Sequence, residues 1–441
     1  MASINTTPLL QEVDSEIEDS DIHESLAVRD NKPLFKPIEP RDKFYTVFVI
    51  FYILGVVTLL PWNFYVTAND YWMYKFRDTR IHNNSVTGSQ LMNKTTLQAE
   101  FTSYVTVASA VPSLLFLIVN ITISQKVSAN KRILGSLFGM LTLMLATLVF
   151  VLPLQLPNVL VCSAILSGSV FGIVGNFSPV YITATIGGQA LGGIFAALAE
   201  IVSLAIGASS THSAFVYFII GNLTIAGSIA LFVVLTKTLF YKYHIEDKFL
   251  NISDFGTTSS AQLVCHKVVF RKTWIYGLSM FFVFAITLSI YPGVTVLIES
   301  EGRGSGSKWN DVFFIPTITY LLFSIGDYLG RIAAGRIQKP NKESVVLLLS
   351  LARFVFIPLF MLCNAQPRYY WGVVFNKDYQ YIIILFMCAI SNGYLANIAA
   401  ILAPRKVDDF EKEAASLMTT VFMGVGLAFG SIISLVMVKL L

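Results

Sequence analysis

Residues 312–334 of this chain read VFFIPTITYLLFSIGDYLGRIAA, an apolar stretch that contains one carboxylate and one guanidinium. Its length matches the roughly 20 residues that a helix needs to cross the hydrocarbon core of a bilayer. Asp327 and Arg331 share a helix face, in the order that favours an ion pair. An ionised group at membrane depth costs at least about 2.5 kcal/mol unless it is paired or faces water. The stretch therefore predicts a membrane-spanning helix, and the pair is a candidate functional site.

The composition of the whole chain agrees with this prediction. Hydrophobic residues make up 55% of the sequence and charged residues 13%, about half the charged fraction that is typical of soluble domains. The mean hydropathy is +0.66. We predict an all-α polytopic membrane protein with eleven transmembrane helices, whose partner is the lipid bilayer and not nucleic acid. The predicted spans are 44–66, 102–124, 133–153, 159–184, 190–208, 213–236, 273–297, 312–334, 344–363, 380–402 and 414–438.

Polar segments divide the chain into four predicted parts. Residues 1–42 are acidic and lack an apolar period, which indicates a disordered cytosolic tail. The longest polar and basic connector, residues 237–272, predicts a cytosolic linker. This linker separates an N-terminal six-helix bundle at residues 43–236 from a C-terminal five-helix bundle at residues 273–441.

The charges of the connecting segments predict the orientation. With a cytosolic N-terminus, most Lys and Arg residues outside the spans face the cytosol, as the positive-inside rule requires. Under this topology Asn83 and Asn93 lie in a long loop on the opposite side, and both are predicted glycosylation sites. The four cysteines form neither a disulfide framework nor a metal-ligand pattern, so we predict no metal site.

Several other polar residues of the predicted spans are weaker candidates. Glu200 and Glu413 are carboxylates that could bind a proton, although Glu413 also suits a helix N-terminus. Ser167 and Gln189 could face a cavity, within spans whose small residues otherwise predict close helix packing. Trp62 offers a stacking face near the end of the first span, where an interfacial aromatic anchor is the alternative interpretation.

The sequence lacks the motifs of several catalytic classes. We find no glycine-rich phosphate loop with its lysine, no His-Glu-x-x-His zinc motif and no Gly-x-Ser-x-Gly elbow. An ATP-driven pump and a membrane hydrolase are therefore disfavoured, and we predict a protein that is not an enzyme and needs no cofactor. No repeated filter loop indicates an ion channel.

Three motifs carry a resemblance to a known family. They are Leu59-Leu60-Pro61-Trp62-Asn63, Asp327-Tyr328-Leu329-Gly330-Arg331 and Ser391-Asn392-Gly393-Tyr394-Leu395. Through them the chain resembles the equilibrative nucleoside transporter family, over about residues 42–441. The resemblance implies a major-facilitator-like arrangement of six plus five helices, with the substrate between the two bundles.

The resemblance also implies a set of substrate-binding residues, which are Leu59, Trp62, Ser167, Asp327, Arg331 and Leu427. The two residues of the first span would contact the nucleobase. The ion pair would hydrogen-bond the ribose hydroxyls or the base edge, and the leucine of the last span would line the cavity. Many relatives carry a glutamine at the position of Ser167, so the shorter hydroxyl leaves the base selectivity open.

Further segments are similar to the intracellular, lysosomal branch of that family, among them Tyr71-Trp72-Met73 and Gln366-Pro367-Arg368. Leu9 and Leu10 form a candidate binding motif for sorting adaptors. However, Asn5 stands four residues before Leu9, where an acidic residue would be usual. A lysosomal or late endosomal membrane is therefore one predicted location, and the plasma membrane is the alternative.

These observations predict a facilitative transporter that moves purine and pyrimidine nucleosides by alternating access. Proton coupling, and with it pH dependence, is a hypothesis that rests on Glu200 and Glu413. Two alternatives stay open. One is a carrier of nucleobases or other polar metabolites. The other is a membrane receptor or scaffold whose buried ion pair is only structural.

Overall fold

The described part of the chain consists almost entirely of helices. The structure is a computed structural model that describes residues 40–67, 96–124, 126–150, 156–206, 210–245, 265–368, 370 and 372–441. Its long helices are α1 (Thr46–Thr67), α2 (Thr96–Ser124), α3 (Ala129–Phe150), α4 (Leu156–Val174), α5 (Pro179–Ile206), α6 (Ser210–Lys237), α7 (His266–Ile290), α8 (309–337), α9 (Glu343–Met361), α10 (Asp378–Leu402) and α11 (Lys412–Leu440). Extended pairing among the described residues is limited to two isolated bridges, both within residues 298–375.

Two of these helices are irregular. The first half of α8 is π-helical at Trp309–Phe313 and Ile315–Leu322, and regular α-helix runs only over Phe323–Ile337. Pro316 is the second residue of the second π segment, and a proline cannot donate the backbone hydrogen bond of a regular α-helix. In α9, a 3₁₀ turn at Arg353–Val355 interrupts the α-helix. The Asp327–Arg331 pair therefore lies on the regular half of α8.

Many of the helices have the length and composition of membrane spans. Within the described residues, eight helices are long and apolar enough to cross a membrane. They are α1, α2, α5, α6, α7, α9, α10 and α11. The segment Asn158–Val174 of α4 is apolar but shorter. The predicted all-α membrane architecture is confirmed at this level.

The predicted fourth and fifth spans are wrong in their boundaries. The sequence predicts a span at 159–184, but α4 ends at Val174 and α5 begins at Pro179. The predicted fifth span, 190–208, is only the second half of α5. The break falls on Gly175-Asn176-Phe177-Ser178-Pro179, where glycine and asparagine favour a turn and proline is well placed in the first turn of a helix.

Apolar side chains of the described residues form two large separate cores. The first joins α1, α3, α4, α5 and α6 and includes one residue of α10, Ile401; Phe51, Leu137 and Phe232 are among its fully buried members. The second joins α7–α10 and the end of α11, around residues such as Phe360 and Leu385. Each core buries the apolar faces of neighbouring helices.

Small residues let several helix pairs approach closely, as the sequence predicts. A Cβ added to Gly426 would lie 2.5 Å from the carbonyl oxygen of Phe281, and one added to Gly430 would lie 2.5 Å from that of Ala285. These glycines therefore bring α11 against the backbone of α7. Gly393 plays the same part between α10 and α8, because a Cβ there would overlap the carbonyl oxygen of Asp327.

Some predicted features fall outside the described residues. They include the Leu9-Leu10 motif, the sequons at Asn83 and Asn93, and residues 246–264 of the predicted linker. The end of that linker is nevertheless described, and it is helical because α7 begins at His266.

Candidate functional site

A cavity of about 210 Å³ lies between two sets of helices. Its walls come from α1, α2, α4 and α5 on one side and from α7, α8, α10 and α11 on the other. Six of its lining residues are those that the sequence predicts as substrate-binding, namely Leu59, Trp62, Ser167, Asp327, Arg331 and Leu427. They come from four helices that are far apart in the sequence, so the fold brings them together.

One wall of the cavity is apolar and aromatic. Leu59 and Trp62 lie within one turn of each other on α1, and Leu427 contributes from α11. Tyr291 and Phe323 also line the cavity, and their rings stack at a centroid distance of 3.9 Å with an interplanar angle of 10°. A flat apolar ligand could lie against such a wall, because aromatic rings prefer offset stacking.

The charged pair is the polar centre of the cavity. Arg331 donates from Nε to Asp327 Oδ2 at 2.7 Å, and the two side chains are only 6% and 7% exposed. The other carboxylate oxygen, Oδ1, accepts a hydrogen bond of 2.7 Å from Asn392 Nδ2 on α10. Each carboxylate oxygen therefore has a strong donor and keeps a further lone pair.

The guanidinium of Arg331 also connects α8 with α5. Its Nη1 donates to the backbone carbonyl oxygen of Ile186 at 2.6 Å and lies 3.3 Å from Gln189 Oε1. Gln189 Nε2 in turn donates to Thr58 Oγ1 on α1 at 3.1 Å. A chain of hydrogen bonds therefore runs from α10 through α8 and α5 to α1. Gln189 lines the cavity, as the sequence predicts.

Hydroxyl groups line much of the remaining surface. Ser167 is one of them, and the others are Thr58, Thr106, Ser109, Ser113, Ser163, Thr287, Ser324 and Ser431. Several of these hydroxyls donate to a backbone carbonyl of their own helix, as Thr106 does to Thr102 and Ser431 to Leu427. Their oxygens can still accept hydrogen bonds, so the wall suits a ligand with several polar groups.

Sequence reasoning missed Asn392 and the hydroxyls of α2 as site residues. Asn392 belongs to the motif Ser391-Asn392-Gly393. The family resemblance singled out this motif but assigned no role to Asn392. The hydroxyls of α2 are spaced as Thr106, Ser109 and Ser113, which places them on one helix face. The spacing of these hydroxyls indicates a polar helix face, but it does not indicate that this face lines a cavity.

Glu200 and Glu413 are not among the residues that line this cavity. Glu200 is buried within α5. Glu413 accepts a hydrogen bond of 2.9 Å from Arg132 Nη2, while Arg132 Nη1 donates to Asn120 Oδ1 at 2.8 Å. These bonds connect α3, α11 and α2. Proton binding by either carboxylate stays a prediction.

Among the described residues, no group of His, Cys, Asp and Glu side chains could hold a metal ion. The site combines an ion pair with spare acceptor capacity, a flat apolar wall and a surface of hydroxyls, and all three can recognise a ligand non-covalently.

Comparisons with known proteins agree with one another. A family model described as "Nucleoside transporter" matches residues 155–439. The chain is 34% identical to equilibrative nucleoside transporter 2 of Homo sapiens, over 91% of this chain and 99% of that protein. It is 32% identical to equilibrative nucleoside transporter 1 of Homo sapiens, over 90% and 97%. Equilibrative nucleoside transporter 3 of Rattus norvegicus is 31% identical, over 91% of both chains.

A solved structure has a similar fold. The crystal structure of the human organic anion transporter MFSD10 (TETRAN) matches with a TM-score of 0.54, over 90% of this chain and 93% of that one. The sequence identity is 15%, so the similarity concerns the fold alone. It agrees with the major-facilitator-like fold that the sequence predicts.

Proposed function

Because this chain belongs to the equilibrative nucleoside transporter family, we propose that its central cavity is the nucleoside-binding site of a facilitative transporter. The main observation behind this proposal is that one cavity is lined by Leu59, Trp62, Ser167, Asp327, Arg331 and Leu427. The transporter is embedded in the lipid bilayer and moves purine and pyrimidine nucleosides down their concentration gradients.

The chemistry of the cavity fits the two halves of a nucleoside. The base lies against Leu59 and Trp62, where burial of its faces is favourable. The ribose hydroxyls donate to the free lone pairs of Asp327, and Arg331 donates to the ligand from its guanidinium. Leu427 closes the apolar wall from α11. A free nucleobase lacks the ribose hydroxyls, so it forgoes the contacts with the ion pair.

The proposed architecture has eleven membrane spans, α1–α11, in two bundles. Residues 43–236 form the six-helix bundle, residues 273–441 form the five-helix bundle, and the cytosolic linker 237–272 joins them. The two separate apolar cores and the cavity between the helix sets support this division. Rocking of one bundle against the other exposes the cavity to each side of the membrane in turn, with the N-terminus in the cytosol.

The proposed location is a lysosomal or late endosomal membrane, with sorting adaptors binding Leu9 and Leu10 and glycans on Asn83 and Asn93. The plasma membrane is the alternative. Imaging of the tagged chain beside lysosomal and surface markers distinguishes them. If the wild-type chain already stains the cell surface, and changing both Leu9 and Leu10 to alanine does not alter that staining, the result favours the plasma membrane.

A transport assay tests the function directly. The purified chain is reconstituted in proteoliposomes and given radiolabelled uridine, adenosine, nucleobases and organic cations, at neutral and acidic pH. We expect both nucleosides to equilibrate across the membrane, with slower entry of the nucleobases.

Transport of nucleobases or cations in preference to nucleosides would favour another carrier class. No transport of any compound would favour a receptor. Faster uptake at acidic pH would support proton linkage through Glu200 or Glu413.

Ser167→Gln should tighten nucleoside binding. Ser167 lines the cavity with a short side chain, whereas glutamine places an amide with donors and an acceptor nearer the ligand. One additional neutral hydrogen bond corresponds to about a fivefold lower KM, and the purine-to-pyrimidine ratio of uptake should change with it. The measurement is initial-rate uptake of adenosine and uridine.

The matched control for this substitution is Ser307→Gln, at an exposed serine of the loop before α8. We expect it to leave both KM values unchanged. If Ser167→Gln also leaves them unchanged, the serine does not face the bound nucleoside.

A further inference from the structure

Arg353 is a buried cation that does not line the central cavity. It lies in the 3₁₀ turn of α9 and is 2% exposed. Among the described ion pairs none includes Arg353, so no described carboxylate lies within 4.0 Å of it. A buried charge without an opposite charge is costly unless every donor finds an acceptor. Its hydrogen bonds therefore need an explanation.

The guanidinium finds five oxygen acceptors for its five N–H groups. These are Ser391 Oγ at 3.2 Å, the Val283 carbonyl at 2.8 Å, Asn392 Oδ1 at 3.3 Å, Thr287 Oγ1 at 2.9 Å and the Cys388 carbonyl at 3.2 Å. They come from α7 and α10. The cation is therefore stabilised by neutral carbonyl and hydroxyl oxygens and not by a carboxylate. Two of the residues that supply these oxygens, Asn392 and Thr287, line the cavity.

Asn392 connects this cation to the carboxylate of the site. Its Oδ1 faces Arg353 and also accepts from the Thr287 hydroxyl at 2.7 Å, while its Nδ2 donates to Asp327 Oδ1 at 2.7 Å. A guanidinium can only donate, and an ionised carboxylate can only accept. The opposite orientation of the amide would therefore place donor against donor and acceptor against acceptor. Arg353 and Asp327 together thus allow only one orientation of Asn392.

We propose that Arg353 is a positioning residue for nucleoside binding, acting through Asn392 to hold the Asp327 carboxylate in its binding orientation. The inference rests on the proposed function. Two arginines then fix the carboxylate, Arg331 directly at Oδ2 and Arg353 through the amide at Oδ1. Both oxygens keep one lone pair for the ribose hydroxyls.

The test is a double-mutant cycle on the full chain in proteoliposomes, with uridine as the probe. Glutamine at position 353 is neutral and can accept as well as donate, so Arg353→Gln removes the charged donor that holds Asn392 Oδ1 and loosens the amide that positions Asp327. We expect the KM to rise about tenfold, the size expected for one lost hydrogen bond to a charged group, with the maximal rate within about twofold of wild type. Asn392→Ala should give a similar rise. The double variant should be no worse than the worse single variant, because both act on one carboxylate.

A purely structural role predicts a different result. If Arg353 only holds α9 against its neighbours, the maximal rate and protein abundance fall while the KM stays constant, or the two KM effects multiply. Either outcome overturns the proposal. Ser391→Ala is the matched control, because it removes an acceptor of Arg353 without touching the path to Asp327, and its KM should equal that of wild type.

Two further variants keep the proposal testable if Arg353→Gln does not accumulate. Arg353→Lys keeps the charge with fewer donors, so its KM should lie between those of wild type and Arg353→Gln. Thr287→Val leaves the arginine in place and removes the hydroxyl that donates to Asn392 Oδ1, and its KM should rise about threefold. An unchanged KM in both variants overturns the proposal. A wild-type chain without uridine uptake would overturn the proposed function and this inference with it.

Discussion

Asp327→Asn should reduce uridine uptake at least about a hundredfold, and Arg331→Gln should do the same. A hydrogen bond to a charged group contributes about 1.5–3 kcal/mol and tenfold corresponds to about 1.4 kcal/mol, so the loss of two such bonds to the nucleoside lowers uptake about a hundredfold or more. Asp327→Asn replaces one charged acceptor oxygen by an NH2 group, which can only donate and would face either Arg331 Nε or Asn392 Nδ2. Arg331 keeps its bond of 2.6 Å to the Ile186 carbonyl, so we expect Asp327→Asn to leave the protein abundance largely intact.

The chain offers a matched control for this pair. Lys377 and Glu301 also approach to 2.7 Å, but their side chains are 52% and 44% exposed. Exposed pairs contribute about 0–1 kcal/mol, so Glu301→Gln should transport at close to the wild-type rate. Uptake is measured in proteoliposomes with the amount of reconstituted protein determined in each sample. Wild-type uptake by both Asp327→Asn and Arg331→Gln would show that the pair is only structural.

Gly393→Ala should prevent α10 from packing against α8. A Cβ at this position would overlap the carbonyl oxygen of Asp327, 2.8 Å from its carbonyl carbon and 3.0 Å from the Arg331 nitrogen. All three atoms are backbone, so no flexible side chain can move away. Overpacking of this kind costs about 1–3 kcal/mol or more. We expect a marked fall in thermal stability and loss of uptake, measured by a melting curve of the purified chain and by transport.

Gly135→Ala is the control, because a Cβ at Gly135 in α3 would meet no atom within 4 Å. Alanine is preferred over glycine inside a helix by about 1 kcal/mol, so this variant should melt no lower than wild type. Equal melting temperatures for Gly393→Ala and wild type would mean that α8 and α10 are farther apart than the structure shows.

The sequence predicts local features of the site better than its long-range contacts. The Asp327–Arg331 pair follows from a spacing of four on one helix, and the structure confirms it. The bonds from Arg331 to Ile186 and from Asn392 to Asp327 join different helices, and no spacing along the chain indicates which helix faces meet. Leu59 and Leu427 were predicted only through the resemblance.

The helix boundaries show a second limit. Hydropathy averages over a window about as long as a span, so the apolar residues on both sides of 175–178 conceal the turn between α4 and α5. Individual turn-forming residues such as Asn176 and Pro179 carry the information that the average removes. The irregular first half of α8 was likewise not predicted from hydropathy, although Pro316 is a sequence signal for a break in a regular α-helix.

The bonds of Arg331 divide into two kinds when the helices move. Its bond to Asp327 lies within α8, and α10 is packed so closely at Gly393 that Asn392 travels with them. The bond from Arg331 to the Ile186 carbonyl, by contrast, joins α8 to α5. Any rearrangement that parts these two helices must break it, while the charge pattern around Asp327 stays constant. If the two bundles rock as proposed, the same guanidinium contributes a permanent element of recognition and a bond that forms again in every cycle, so the strength of that bond affects the turnover rate.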